Sequence, residues 1–230
     1  MDEKEIHKLP CKESKVMATW IIFSVGFFAQ LLFSSRTIYQ WIVSEKKKKV
    51  VTPPLFWQIS LFASVTLCLY GFLRQDFAII LGQSITYIIY IRNLQLQHKW
   101  KLFPMISRIF FIFWPIFIAL YFLLNQINII SFLFINSGIT KPLILMGSIA
   151  HILFTLRFVY QWLHSEVKKE SELPLGFWII SIAGALMTIT YGILRMDPVL
   201  ILGHFFGISV YIRNIMIFYK NGLLKNKKEI

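Results

Sequence analysis

The chain has 230 residues, 57% of them hydrophobic and 17% aromatic, with 15% charged, against roughly 25% charged in an average soluble domain. Mean hydropathy is positive, +0.63. Repeated apolar runs of about 20 residues match the length of a helix crossing a hydrocarbon core, so the composition points to a polytopic helical membrane protein and excludes an ordinary soluble enzyme. The net charge of +13 is explained by lysines in short loops, where they orient a membrane protein and meet anionic lipid heads. Nucleic acid is therefore not an expected partner.

Residues 1–17 mix four lysines with four acids and contain no apolar core, so they read as a tail and not as a cleavable signal. Spans are predicted at 18–43, 54–73, 77–97, 105–124, 142–164, 175–194 and 198–219. Pro53, Pro54 and Pro174 punctuate the chain after the first and fifth spans, while Asp76 and Asp197 open the third and seventh. Residues 125–141 hold a shorter apolar run, expected to lie along the interface. Residues 220–230 form a basic tail. Cys11 and Cys68 make no disulfide framework or metal cluster, and no cofactor is implied.

Seven spans place the two ends on opposite faces. The loops after spans one, three and five, with the C-terminal tail, collect 15 of the 24 Lys and Arg residues. The positive-inside rule then predicts an outer N-terminus and a cytoplasmic C-terminus. Trp41, Trp57, Trp100, Trp162 and Trp178 fall near the cytoplasmic boundary and are expected to form an aromatic belt.

The chain is duplicated. Adding 121 to positions 26–94 gives 147–215 without a gap, and 29 of the 69 pairs are identical. The matches include Arg36/Arg157, Gln40/Gln161, Glu45/Glu166, Trp57/Trp178, Arg74/Arg195, Asp76/Asp197 and the run 90–93 (YIRN) against 211–214. Apolar composition alone would not align Arg, Gln, Glu, Asp and Asn in register. Repeats at 18–97 and 142–219, joined by a linker helix and loop at 98–141, make a parallel three-plus-one-plus-three plan. Such plans place a pathway at the pseudo-two-fold interface.

Arginine within hydrocarbon costs several kcal/mol unless it snorkels, pairs or faces water. For Arg36 and Arg157 the alternatives are snorkelling, pairing with nearby Glu45 and Glu166, and binding of phosphate by the forked guanidinium. Polar stripes at helical spacing bring in Gln30 and Gln40 on the first span, His151 and Gln161 on the fifth, Gln83, Tyr90 and Asn93 on the third, and His204, Tyr211 and Asn214 on the seventh. These twelve residues are the candidate substrate contacts, with interhelical hydrogen bonding as the alternative for the amides. For His151 and His204 the alternatives are proton coupling and a hydrogen-bonded core. At the opposite end, Arg74, Asp76, Arg195 and Asp197 read as tight turns with Asp as N-cap, or as a second point of anion contact.

The elements R-F/T-x-Y-Q-W-x-x-S-E, P-x-x-F-W-x-x-S, Y-G-x-L-R-x-D and L-G-x…Y-I-R-N resemble the lipid-A-disaccharide synthase N-terminal-like membrane domain, one copy in 26–94 and one in 147–215. That family is similar in turn to the PQ-loop and SWEET transporters built from three-helix units, although this chain lacks a Pro-Gln dipeptide. The resemblance implies an all-α protein of the bacterial inner membrane, working beside enzymes that glycosylate envelope lipids. It further implies a transporter, a flippase of an undecaprenyl-phosphate-linked sugar or related anionic glycolipid, with membrane lipid and membrane glycosyltransferases as partners. Rival readings are a SWEET-like carrier of soluble sugar and a non-catalytic subunit of a lipid glycosyltransferase; an enzyme acting alone ranks last.

Overall fold

The computed structural model describes residues 9–74, 77–124 and 141–226, and all regular structure among them is helical. The helices are α1 (Leu9–Lys47), α2 (Pro54–Leu73), α3 (Phe77–Leu96), a single 3-10 turn (Trp100–Leu102), α4 (Met105–Leu124), α5 (Lys141–Lys168), α6 (Leu175–Leu194) and α7 (Pro198–Asn226). Helix α1 begins ahead of the predicted span start at residue 18, and α7 runs past the predicted end at 219. The expected interfacial run at 125–140 and Asp76 lie outside the described residues. Among the described residues, four segments are long and apolar enough to cross a membrane: Trp20–Lys47, Pro54–Leu73, Leu175–Leu194 and Leu200–Asn221.

Local chemistry sets the breaks. Pro53 and Pro174 sit in extended conformation (φ −66° and −71°) immediately before α2 and α6, where a fixed φ and a missing donor cost nothing. Helices α1 and α5 both end in a left-handed residue, Lys48 (φ 51°) and Lys169 (φ 56°), the conformation that closes many helix C-termini. Duplication therefore extends to the turns.

Helices α1, α2 and α3 pack consecutively, as do α5, α6 and α7. Two seams, α1 against α7 and α3 against α5, close the six into a ring. Helix α4 lies outside it, with Phe111 packed edge-on against Phe62 of α2 and tilted on Tyr87 of α3. Within each triple, a glycine lets α1 or α5 approach its neighbour closely. A Cβ on Gly26 would come within 2.7 Å of the Tyr70 ring, and one on Gly147 within 2.5 Å of Tyr191; small residues at such crossings are how membrane helices pack.

The core is aromatic and sits between the halves: Phe56, Trp57, Tyr90, Phe158, Phe177, Trp178 and Tyr211 belong to one buried cluster. The expected tryptophan belt is corrected here. Trp57 and Trp178 are buried, because their rings pack at a tilt against Tyr90 and Tyr211 inside the bundle.

Candidate functional site: a buried arginine pair between the repeats

Arg36 and Arg157 project from α1 and α5 into the space enclosed by the ring. Each is only 3% exposed, so neither snorkels to a surface. Arg36 Nη1 donates to Ser60 Oγ on α2. Arg157 Nη1 donates to Ser181 Oγ on α6 and to Tyr211 Oη on α7, both at 3.2 Å. Ser60 and Ser181 are repeat equivalents and donate in turn to the carbonyls of Phe56 and Phe177. The sequence reading missed both serines as site residues, although the repeat register had already aligned them.

Aromatic faces surround the two cations. The Arg36 guanidinium lies 4.5 Å from the Phe33 ring centre, 4.9 Å from Phe56 and 5.4 Å from Tyr90. That of Arg157 lies 3.4 Å from Phe154, 5.3 Å from Phe177 and 5.7 Å from Tyr211. These sets are repeat equivalents. Phe158 breaks the symmetry, since its counterpart is Thr37, and both guanidiniums sit on its ring at 5.3 and 4.6 Å.

The carboxylate partners proposed from sequence are corrected. Glu45 pairs with Arg213, and Glu166 pairs with Arg92 at 2.6 Å, because each glutamate lies two to three turns further along its helix, at the seam with the other repeat. Among the described residues neither Arg36 nor Arg157 meets a carboxylate, and the Nε of each is buried without a hydrogen-bond partner.

A partly enclosed cavity of about 80 Å³ lies beside the pair, lined by both arginines together with Tyr90 and Tyr211. Gln30, Gln83, His151 and His204 line it further toward the N-terminal ends of α1 and α5. Gln30 packs on Gly203 across the α1–α7 seam. Gln83 Oε1 is buried without a partner. The His204 Nδ1 hydrogen-bonds the Leu200 carbonyl at 2.9 Å, and its ring rests on Phe154; His151 packs edge-on to Tyr191. Eight of the twelve predicted contacts therefore share one cavity.

The other four line no part of it. Gln40 Nε2 donates to Asn214 Oδ1 at 3.0 Å, across the α1–α7 seam. Asn93 and Gln161 exchange two hydrogen bonds, 3.1 and 2.8 Å, across the α3–α5 seam. Each glutamine also binds the connecting loop beyond its helix, at Val51 O or Glu172 O. Their donors are thus occupied in joining the halves, beyond the aromatic layer from the cavity. Outside this amide tier lie the ion pairs Glu45–Arg213 and Glu166–Arg92, where paired charge holds the Glu166 carboxyl down at about 2, chiefly through Arg92 and then Lys169.

At the opposite end Asp197, 3% exposed, accepts from Arg74 at 3.4 Å and from Tyr70 Oη at 3.3 Å, both on the other repeat. Its second oxygen takes the Leu200 amide at 3.3 Å, which makes it the N-cap expected for α7. Arg195 donates to Tyr191 Oη at 2.8 Å.

Fold and site together define a duplicated, membrane-type helical bundle that encloses a cationic, aromatic-lined cavity between its repeats. The chain belongs to the Lipid A Biosynthesis N-terminal domain family, whose model matches residues 25–95 and again 146–216. It is 30% identical over 213 residues to a lipid-A-disaccharide synthase of Chlamydia felis, covering 89% of this chain and 34% of the relative. A lipid-A-disaccharide synthase of Chlamydia pneumoniae is 28% identical over 207 residues, covering 87% of this chain and 34% of its own. The chain thus spans about a third of the length of the relatives it matches. No solved structure matches it.

Proposed function

We propose that the protein is a transporter of the bacterial inner membrane, a flippase that turns an anionic polyprenyl-phosphate lipid, free or sugar-linked, between the leaflets. All seven helices would cross, as two parallel triples joined in sequence by α4, leaving the C-terminus in the cytoplasm. One observation carries this: two arginines buried at the interface of the repeats, beside a cavity, neither of which meets a carboxylate among the described residues. Burying a single ion costs several kcal/mol after relaxation. A cation–π contact returns about 0.5–2 kcal/mol, and the two like charges also repel. A bound anion is the natural complement, and guanidinium is suited to phosphate.

Tyr90 and Tyr211 would complete the phosphate contact, while Gln30, Gln83, His151 and His204 would offer polar groups along the path. Gln40, Gln161, Asn93 and Asn214 are assigned instead to holding the halves together. In proteoliposomes, transbilayer movement of a polyprenyl phosphate, free or sugar-linked, is expected to fall at least about tenfold in the R36A/R157A variant, the scale for losing charge-assisted bonds. Equal rates for wild type and variant remove the arginines from the mechanism.

A second reading is favoured by the relatives, which are named lipid-A-disaccharide synthases and contain this region as about a third of their length. On it, the chain presents lipid to a membrane glycosyltransferase and does not move it. Stable copurification with such an enzyme, with no lipid movement by the chain alone, would select it.

A further inference from the structure

The cavity beside the arginines is specific enough to narrow the cargo of the proposed transporter. Its formal charge is +2, from Arg36 and Arg157, and no described carboxylate offsets it. Each guanidinium keeps a buried Nε with no acceptor, while Nη1 of each is already engaged by a serine. The open acceptor demand is therefore duplicated, one arginine on each side of the pseudo-two-fold.

Size points the same way. At about 80 Å³, the cavity falls well below the roughly 150 Å³ known to admit a six-membered ring. A tetrahedral oxyanion matches that volume, whereas a pyranose attached to the phosphate would have to lie outside the cavity. Charge agrees. A phosphodiester brings one negative charge and leaves one buried guanidinium uncompensated, whereas a monoester brings close to two once its second proton, pKa about 6, is lost.

The rim tells where the rest of the ligand would go. Ile38 on α1 and Phe206 on α7 line the cavity, yet they are 45% and 65% exposed on the outside of the bundle. At the α1–α7 seam the cavity therefore reaches the apolar outer surface. A phosphate could lie inside while an acyl or prenyl chain stays among lipid tails.

We propose that the arginine pair is a subsite for a dianionic phosphate monoester, a terminal phosphate on a lipid in preference to a sugar-capped phosphodiester. This rests on the arginines being a phosphate site, as in the proposed function, and goes further by assigning the charge state and the uncapped end.

The test uses the full chain in detergent at pH 8, with decyl phosphate, its methyl ester and inorganic phosphate as probes, and binding read by calorimetry. Decyl phosphate is expected to bind about tenfold or more tightly than the methyl ester. The preference should collapse to within about twofold in R36Q and R157Q. R36K and R157K, which keep the charge and guard against a folding defect, should retain the preference at weaker affinity. Inorganic phosphate binding as tightly as decyl phosphate would support the subsite and assign it to a soluble phosphate. Equal binding of the monoester and methyl ester overturns the monoester assignment while leaving an anionic-lipid transporter intact. If none of the three binds, the phosphate site and the proposed function fall together.

Discussion

Gln40 and Gln161 occupy equivalent places in the two repeats, but their bonding differs in one respect that can be measured. Gln161 and Asn93 satisfy each other twice, carbonyl and amide both engaged. Gln40 gives one hydrogen bond to Asn214, and its own Oε1 is buried without a partner. Interhelical hydrogen bonds of membrane proteins couple by about 0.6 kcal/mol on average and about 1.7 at most. A double-mutant cycle with leucine at each site is expected to give the Asn93–Gln161 pair the upper part of that range and Gln40–Asn214 the lower part. Thermal unfolding in detergent is the measurement. Coupling of equal size would mean that the second bond contributes nothing. The difference has a local source: Ser171 Oγ donates to Asn93 Oδ1 at 2.7 Å and fixes that amide, whereas the equivalent of Ser171 in the first repeat is Val50, which has no hydroxyl.

Between helices, the seams are held at one end by reciprocal ion pairs, α1 to α7 through Glu45–Arg213 and α3 to α5 through Glu166–Arg92. Because Glu166 titrates at about 2 when folded, below its ordinary value near 4.3, its contribution is present in full above the ordinary value and disappears as pH falls toward 2. The stability difference between wild type and E166Q should therefore be flat from pH 8 to about 5 and shrink only below that. Its size should be modest and salt-sensitive, since both partners are partly exposed. A difference that already decays between pH 7 and 6 would assign the seam to some other group. These seams also show what sequence can and cannot deliver. Every member of both tiers was visible as a matched polar pair in the repeat, because duplication copies residues in register. Which residue faces which was not visible: a one-dimensional repeat aligns Glu45 with Glu166, but the two-fold arrangement crosses each one over to an arginine of the opposite half. Glu45 and Glu166 were accordingly offered to the wrong arginines. The buried tryptophans were misplaced for a related reason, since position along a span marks depth and not direction. Arg36 and Arg157 were legible because charge in an apolar run is rare, and eight of the twelve candidate contacts do share their cavity. Phe158, which touches both guanidiniums, stood out only once the cations were in place.

For the whole molecule, the unequal closure of the two ends suggests how the cavity would be reached. At the C-terminal ends of α1 and α5, three successive layers separate the arginines from the end of the bundle: packed aromatics, the amide tier and the ion pairs. At the other end one carboxylate, Asp197, links the halves through Arg74 and Tyr70. If the proposed transporter works by rocking one triple against the other, the α1–α7 seam must part at the thick end in every cycle. Replacing the Glu45–Arg213 ion pair by two cysteines, E45C/R213C, puts a covalent tie where a reversible one stands. The oxidised protein should lose transbilayer movement of lipid, and reduction should restore it to the level of the reduced variant. Binding of decyl phosphate by the oxidised protein is then the informative second measurement. The cavity exists with this end closed, and its rim lies at Ile38 and Phe206, toward the cavity side of the tie. Binding should therefore survive cross-linking while movement does not. Movement at full rate with the tie in place would show that this seam need not open, and would shift the moving part of the cycle to the Asp197 end.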